Sequence, residues 1–183
     1  MRRRAVAASA TVVLGGALAG CAGTGATGAR QSSYAPYELF TDRRPAPQVT
    51  GTTLDGKSFD LAALHGKVAV LNFWQSYCAP CRAEAPALQK VSAETKASGV
   101  RFVGVDVRDA KEAGKAFART FKIDYPSIYD QAGQVAPAFR DVPLTGVPTT
   151  LVIDRNGRVA GRIVGGTSYS ALRDLVTKIA AGR

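Results

Sequence analysis

A near-continuous apolar run leads into two closely spaced cysteines near the middle of this 183-residue chain. The run extends over Val68–Trp74, and runs of this kind are typical of a strand that is buried on both faces of a sheet. Apolar residues at helical spacing follow from Pro80 to about Ser98, and Gly99 ends that pattern. The sequence therefore predicts that Cys78 and Cys81 lie where a buried strand passes through a short loop into a helix.

Strand and helix patterns alternate along the rest of the chain. Strands are predicted at 100–107, 127–129, 149–154 and 159–164, and helical segments at 61–64, 110–121, 136–139 and 168–181, with Ser168 as the last N-cap. Two further strand segments, 48–54 and 57–59, flank the turn pair Asp55-Gly56 and predict a hairpin. Alternating elements that end in a hairpin and a helix indicate an α/β fold with a mixed sheet.

The beginning of the chain is typical of an export signal. Arg2–Arg4 form a positive n-region, and Ala5–Leu18 is an apolar run too short for a stable membrane-spanning helix. The run ends at Leu18-Ala19-Gly20-Cys21, which resembles the lipobox of bacterial lipoproteins, in which the cysteine is lipidated. An ordinary cleavable signal with an incidental Cys21 is the alternative. We predict a lipoprotein signal peptide at 1–20, a flexible tether at 21–43 and a folded domain at 44–183.

The net charge of the chain and its distribution indicate which kinds of partner the protein can bind. Lys and Arg number 24 against 14 Asp and Glu, which gives a net charge of +10. After Arg4 the basic residues are scattered and form no run, so we do not expect nucleic acid as a partner. Attraction to an anionic membrane surface, or simple solubility, explains a scattered positive charge.

The spacing of the cysteines favours thiol–disulfide chemistry. Two intervening residues at a helix start let the sulfurs approach to bonding distance, and the unpaired N–H groups there stabilise a thiolate on Cys78. Pro80 fits in the first turn because its missing N–H would have had no acceptor in the helix. We expect Cys78 to attack a partner disulfide and Cys81, shielded by the helix, to resolve the mixed disulfide.

Two other uses of paired cysteines are the alternatives. A structural disulfide usually closes a long loop, whereas this pair encloses two residues. A zinc site needs two further ligands, yet Cys21 lies in the predicted signal segment and His65 is the only histidine. We therefore predict a redox pair without a metal ion.

Three features together resemble the thioredoxin superfamily, and within it the TlpA/ResA-like branch of anchored extracytoplasmic thiol–disulfide oxidoreductases. They are the segment from Trp74 through Cys78-Ala79-Pro80-Cys81, the element Gly146-Val147-Pro148-Thr149 before an apolar strand, and a stretch at 109–145 that resembles the segment inserted in this branch. The resemblance covers about 46–180. It implies a thioredoxin-like fold with a central mixed β-sheet flanked by helices and an N-terminal β-hairpin.

The resemblance also implies roles for single residues. Pro148 matches a proline that is cis beside the disulfide, which leaves the backbone of Val147 free to pair with a substrate segment. Glu84 matches an acid that tunes the thiol pKa or relays protons, and a solvated helix residue is its alternative. Asn72 replaces the buried Asp of plain thioredoxins, and an amide cannot take a proton. The catalytic set is Cys78, Cys81, Glu84 and Pro148, and the substrate-binding set is Trp74, Tyr77, Pro80, Val147 and Thr149.

The function implied by the resemblance is exchange of disulfides with extracytoplasmic protein partners, with this chain as the reductant. Cytochrome c maturation is the implied pathway, and a membrane protein similar to CcdA or DsbD the implied thiol donor, although Ala79-Pro80 departs from the Glu-Pro of some members. We expect a lipid-anchored monomer without a cofactor.

A thiol peroxidase of the same fold and a copper-binding module are the alternatives. Gln75 stands where such peroxidases carry Thr, and such copper carriers space their cysteines by three residues and add a distal His.

Overall fold

Strands and helices alternate along residues 36–182, which are the residues that the computed structural model describes. The strands are β1 (Glu38–Leu39), β2 (Thr50–Thr52), β3 (Ser58–Asp60), β4 (Val68–Trp74), β5 (Val100–Val107), β6 (Ser127–Asp130), β7 (Thr149–Ile153) and β8 (Val159–Val164). The α-helices are α1 (Ala79–Thr95), α2 (Lys111–Thr120), α3 (Val135–Ala138) and α4 (Tyr169–Ala180), and 3₁₀ turns occupy Leu61–Leu64 and Lys96–Ser98.

Six of these strands form one mixed sheet in the order β1-β8-β7-β4-β5-β6. Strand β4 is parallel to β5 and antiparallel to β7, and β6 continues the parallel side. All seven residues of β4 are buried, because the strand lies in the interior of the sheet and both of its faces are covered. The prediction of a thioredoxin-like mixed α/β fold is confirmed.

The two faces of the sheet are covered by different elements. Side chains alternate along a strand, so Leu71 and Phe73 of β4 pack in a core with Phe139 on one face, whereas Val68 and Val70 pack against α1 and α4 on the other. By the same alternation, Asn72 and Trp74 lie on the α1 side. The polar Asn72 is thereby placed beneath the helix that begins at the cysteines.

The predicted element bounds hold best where a sharp local signal ends the element. Strands β5 and β8 have the predicted bounds, and Gly99, with a φ of 80°, ends the helical segment as expected. That segment is divided into α1 and a 3₁₀ turn. The hairpin β2–β3 surrounds Asp55-Gly56, but its first strand is shorter than predicted because Thr53 N–H already donates to Lys57 O across the turn (2.8 Å).

The sheet begins earlier in the chain than the predicted domain start at residue 44. Strand β1 pairs with β8 through Glu38↔Arg162 and Leu39↔Gly161, so it lies within the range 21–43 that was predicted as a tether. Close approach is possible because residue 161 is glycine, where a Cβ would lie 2.9 Å from Glu38 O. The predicted signal peptide, Cys21 and the tether up to residue 35 lie outside the described residues. No helix among residues 36–182 is long and apolar enough to cross a bilayer.

Candidate active site

Cys78 and Cys81 form a disulfide at the first turn of α1. Cys78 is the N-cap of the helix, and its Sγ accepts the N–H of Cys81 at 3.2 Å. Cys78 is 9% exposed and Cys81 1% exposed. Cys78 is therefore the more exposed of the two cysteines, whereas Cys81 is enclosed.

Glu84 lies one helical turn beyond Cys81 and is buried, with 2% of its surface exposed. Its Oε1 accepts a hydrogen bond from Asn72 Nδ2 (2.8 Å), and its Oε2 accepts one from the backbone N–H of Thr167 (2.9 Å). Burial raises the pKa of Glu84 to about 7, although these two hydrogen bonds act in the opposite direction. The alternative of a solvated helix residue is wrong.

Asn72 gives Glu84 a partner that suits both protonation states. In the structure its Nδ2 donates to Glu84 and to Thr150 Oγ1 (3.1 Å). Rotation of the amide by a half turn would present Oδ1 instead, and this oxygen can accept a hydrogen bond from a protonated Glu84. An ionised aspartate at this position could only accept, so it would repel an ionised Glu84. The amide can therefore offer a donor to an ionised Glu84 and an acceptor to a protonated one.

The Val147–Pro148 peptide bond is cis, as the resemblance implied. Pro148 is buried, and its carbonyl accepts the N–H of Gly165 (2.9 Å), while Thr149 Oγ1 donates to Gly146 O (2.7 Å). Val147 is half-buried and packs against the cluster that contains both cysteines. Strand pairing of β7 starts at Thr149, so within residues 36–182 the backbone of Val147 takes no part in the sheet.

The predicted substrate-binding residues divide into exposed and buried groups. Tyr77 is 67% exposed beside Cys78, and Pro80 is also exposed. Trp74 is only 4% exposed and stacks on Phe117, with ring centroids 4.3 Å apart, and Thr149 is fully buried. The Trp74 indole is thus packed beside the disulfide, and the Thr149 side chain supports the cis-proline loop.

Two acidic residues of this region, Asp106 and Asp109, were missed by the sequence analysis. Asp109 Oδ2 accepts the backbone N–H of Ser76, two residues before Cys78, at 2.6 Å. Asp106, next to Trp74 in the β4–β5 register, is fully buried. A carboxyl residue near the end of an otherwise apolar strand was the signal that could have identified it. Among residues 36–182, no three His, Cys, Asp or Glu side chains are grouped as metal ligands.

Comparison with known proteins identifies the family. Residues 43–162 match the AhpC/TSA family. The chain belongs to the AhpC/TSA family. This family member is 31% identical to the thiol-disulfide oxidoreductase ResA of Bacillus subtilis over 149 residues, which are 81% of this chain and 82% of that protein. It is 36% identical to ResA of Geobacillus kaustophilus over 120 residues, 66% of this chain and 67% of that one.

Solved structures of similar proteins agree with this assignment. A DsbF homologue from Corynebacterium diphtheriae superposes on this protein with a TM-score of 0.73 and 31% identity, covering 80% of this chain and 95% of that one. A secreted thiol-disulfide isomerase from Corynebacterium glutamicum gives a TM-score of 0.74 and 28% identity, covering 82% and 95%. With the disulfide at the start of α1, these similarities make the protein a thiol–disulfide oxidoreductase of the thioredoxin fold.

Proposed function

We propose that the protein reduces disulfide bonds of extracytoplasmic protein partners, with Cys78 as the attacking thiol and Cys81 as the resolving thiol. The observation behind this assignment is the unequal exposure of the two cysteines above a buried acid. Cys78 has surface at the helix N-terminus, whereas Cys81 is enclosed and Glu84 lies one turn beyond it. Such a pair can bind a partner covalently at Cys78 and release it when Cys81 attacks the Cys78 sulfur.

The reaction proceeds in two exchanges. The Cys78 thiolate attacks one sulfur of the partner disulfide, and the other partner sulfur leaves as a thiolate. Cys81 then loses its proton and attacks Cys78 Sγ, which forms the Cys78–Cys81 disulfide and releases the second partner thiolate. Two electrons pass from this protein to the partner. The N–H groups at the start of α1 stabilise the Cys78 thiolate before the attack.

Glu84 is the acceptor for the proton of Cys81. Its pKa of about 7 allows it to take the proton near neutral pH and to return it when the disulfide is reduced again. Asn72 retains a hydrogen bond to Glu84 in both states through rotation of its amide. The proton acceptor of this protein is therefore on α1 rather than at the β4 position that Asn72 occupies.

The surface that receives the partner consists of Tyr77, Pro80 and Val147. Tyr77 and Pro80 are exposed on either side of Cys78. The backbone of Val147 lies outside the sheet and beside the cysteine cluster, so it is free to pair with an extended partner segment as an added strand. Pro148 holds that backbone in place, with the support of Thr149.

The proposed location is the extracytoplasmic face of the cell membrane, with Cys21 lipidated. The lipobox-like sequence before Cys21 supports the anchor, and the secreted relative from Corynebacterium glutamicum supports export. A membrane protein similar to CcdA or DsbD would return electrons to the cysteines, and cytochrome c maturation is the proposed pathway.

If Cys21 carries lipid, a Cys21→Ser variant should leave the membrane fraction, whereas a Ser32→Ala control should stay. Retention of the Cys21→Ser protein would rule out this anchor.

A measurement of reduction potential tests the direction of electron flow. Equilibration of the purified protein with glutathione or dithiothreitol buffers should give a potential at or below about −270 mV, as for thioredoxin, whereas a value near −120 mV would make it an oxidant. The latter result would contradict the proposed reductant role and leave the exchange chemistry intact.

Trapping of the mixed disulfide tests the assignment of the two cysteines. A Cys81→Ser variant should accumulate partners on Cys78, because resolution is blocked after the first exchange. The matched Cys78→Ser variant should trap none, since Cys81 is 1% exposed. Equal trapping by both variants, seen on non-reducing gels and by mass spectrometry, would contradict the assignment.

A thiol peroxidase of the same fold is the second candidate. Gln75, three residues before Cys78, occupies the position where the resemblance places the threonine of such enzymes. Consumption of hydrogen peroxide by the reduced protein at enzymatic rates would favour the peroxidase over the disulfide reductase.

A further inference from the structure

The carboxyl group of Asp106 is enclosed by protein on all sides. It lies on β5 and faces Gly114 of α2. A Cβ atom added at Gly114 would lie 2.2 Å from Asp106 Oδ2 and 3.2 Å from the Leu54 side chain. Asp106 has no exposed surface, and neither of its oxygens accepts a hydrogen bond from an N–H or O–H group of the described residues. A buried carboxylate without donors is costly, so this group is stable there only with a proton.

The neighbour of Asp106 is a second carboxyl group. Burial is the main cause that raises the pKa of Asp106 to about 8. The nearby carboxyl group of Asp109 adds to the shift through its negative charge and as an acceptor for the proton of Asp106. A hydrogen bond between two carboxyl groups requires a proton on one of them. Asp106 is therefore the donor, and Asp109 accepts.

Asp109 is the ionised member because it receives other hydrogen bonds. Burial opposes its ionisation, but the N–H groups of Ser76 (2.6 Å) and Ala110 (2.7 Å) outweigh burial and hold the pKa of Asp109 below its usual range. Tyr129 Oη donates to the carbonyl of Asp109 (3.2 Å), which fixes its backbone. Arg82 binds the carbonyl of Ser76 (3.3 Å), so the residue before Tyr77 is held at both its N–H and its C=O.

We propose that Asp106 and Asp109 share one proton and act as positioning residues that hold the loop in front of Cys78. The inference rests on the proposed role of Cys78 as the attacking thiol, because the pair acts on the loop that delivers it. When Asp106 loses its proton, two carboxylates face each other and Asp109 is driven from the N–H of Ser76. The loop is therefore released in alkaline solution and held in neutral solution.

Charged groups on the surrounding elements do not neutralise Asp106. On α2, Lys111 lies over the ring of Tyr129 (5.8 Å), and Lys115 is paired with Glu112. On β6 the titratable neighbour is Tyr129, which is bound to the backbone of Asp109. On α1, Glu84 is bound to Asn72 and Thr167. Asp109 is thus the group whose charge Asp106 meets directly.

The test uses the disulfide form of the full chain, in which neither Cys78 nor Cys81 titrates. Trp74 is the only tryptophan and the register neighbour of Asp106, so its fluorescence reports on this site. Between about pH 6 and pH 10 we expect a transition with a midpoint near pH 8, and the backbone amide resonance of Ser76 should shift with the same midpoint. Fluorescence and resonance that stay constant over this range would overturn the inference.

Three variants separate the pair from other groups. Asp106→Asn keeps a donor to Asp109 without a titrating proton, so its Ser76 resonance should remain at the neutral-pH position throughout. Asp109→Asn removes the neighbouring charge and should move the midpoint to lower pH, whereas Glu84→Gln should leave the midpoint unchanged. A shift of the Ser76 resonance near pH 8 that persists in Asp106→Asn would refute the proposal, whereas a change near pH 7 would belong to Glu84. Because no exchange reaction is measured, this outcome is independent of the proposed reductant function.

Discussion

Replacement of Glu84 by glutamine should change how the stability of the protein depends on pH. In the folded protein the pKa of Glu84 is raised from its ordinary 4.5 to about 7 by burial. Below pH 4.5 both the folded and the unfolded chain carry the proton. Between about pH 4.5 and pH 7 the unfolded chain releases it while the folded chain retains it, so stability is lost as the pH rises. Above pH 7 this contribution is constant.

The magnitude follows from the shift of the pKa. One pKa unit corresponds to about 1.4 kcal/mol, so a rise from 4.5 to about 7 corresponds to roughly 3 kcal/mol. The glutamine side chain of the Glu84→Gln variant has no proton to lose, and its amide can donate to Asn72 Oδ1 after rotation of the Asn72 amide. The free energies of unfolding of the wild type and the variant should therefore change relative to each other by roughly 3 kcal/mol between pH 4.5 and pH 8, in favour of the variant.

Urea denaturation of the disulfide form, followed by circular dichroism at several pH values, measures this difference. Asp106 also titrates, but it is present in both proteins and cancels in the comparison. A loss of hydrogen bonding in the variant would lower its stability by the same amount at every pH and would leave the relative change intact. Parallel stability curves from pH 4.5 to pH 8 would show that Glu84 is not the buried titrating group, and the proposed proton acceptor would have to be abandoned.

Three further substitutions test the core, the partner surface and the packing of the indole. Leu175→Ala, at a fully buried α4 position, should lower the free energy of unfolding by about 2–5 kcal/mol, and a smaller loss in urea would contradict the core assignment. Tyr77→Ala, at a 67% exposed position, should change the free energy of unfolding by less than about 0.5 kcal/mol. It should nevertheless lower kcat/KM for a protein disulfide more than kcat/KM for oxidised glutathione. Equal effects on the two substrates would exclude a partner contact. Gly104→Ala places a Cβ 2.3 Å from Ser127 Oγ and 2.7 Å from Trp74 Nε1. The substitution should therefore lower the free energy of unfolding by about 1–3 kcal/mol and shift the tryptophan emission. Unchanged emission would refute this packing.

The elements around the cysteines could be predicted because their signals are local. A strand covered on both faces is apolar at successive positions, and the observed β4 has the predicted bounds. The helix after it begins at Ala79, directly after its N-cap Cys78, and carries proline in its first turn. Strands β5 and β8 also end at predicted positions, since turn residues follow them. Strand β1 was not predicted, because two residues, Glu38 and Leu39, carry no periodicity and gain their structure only from the neighbouring β8.

The environment of Glu84 could not be predicted from its neighbours in the chain. Its two hydrogen-bond donors, Asn72 and Thr167, lie on different elements, β4 and the loop before α4. The sequence placed Glu84 one turn beyond Cys81 but left open whether it faces solvent. Asp106 and Asp109 show the same limit, because their contact with Ser76 joins segments that are separate in the chain.

The sequence by itself determined the strand, the loop and the helix start that bring two cysteine sulfurs together, because backbone conformation and sulfur spacing depend on adjacent residues. The tertiary structure alone decided which carboxyl groups are removed from water. That outcome depends on side chains that meet across the sheet from distant parts of the chain, and it is the loss of water that raises the pKa of Glu84 to about 7 and of Asp106 to about 8.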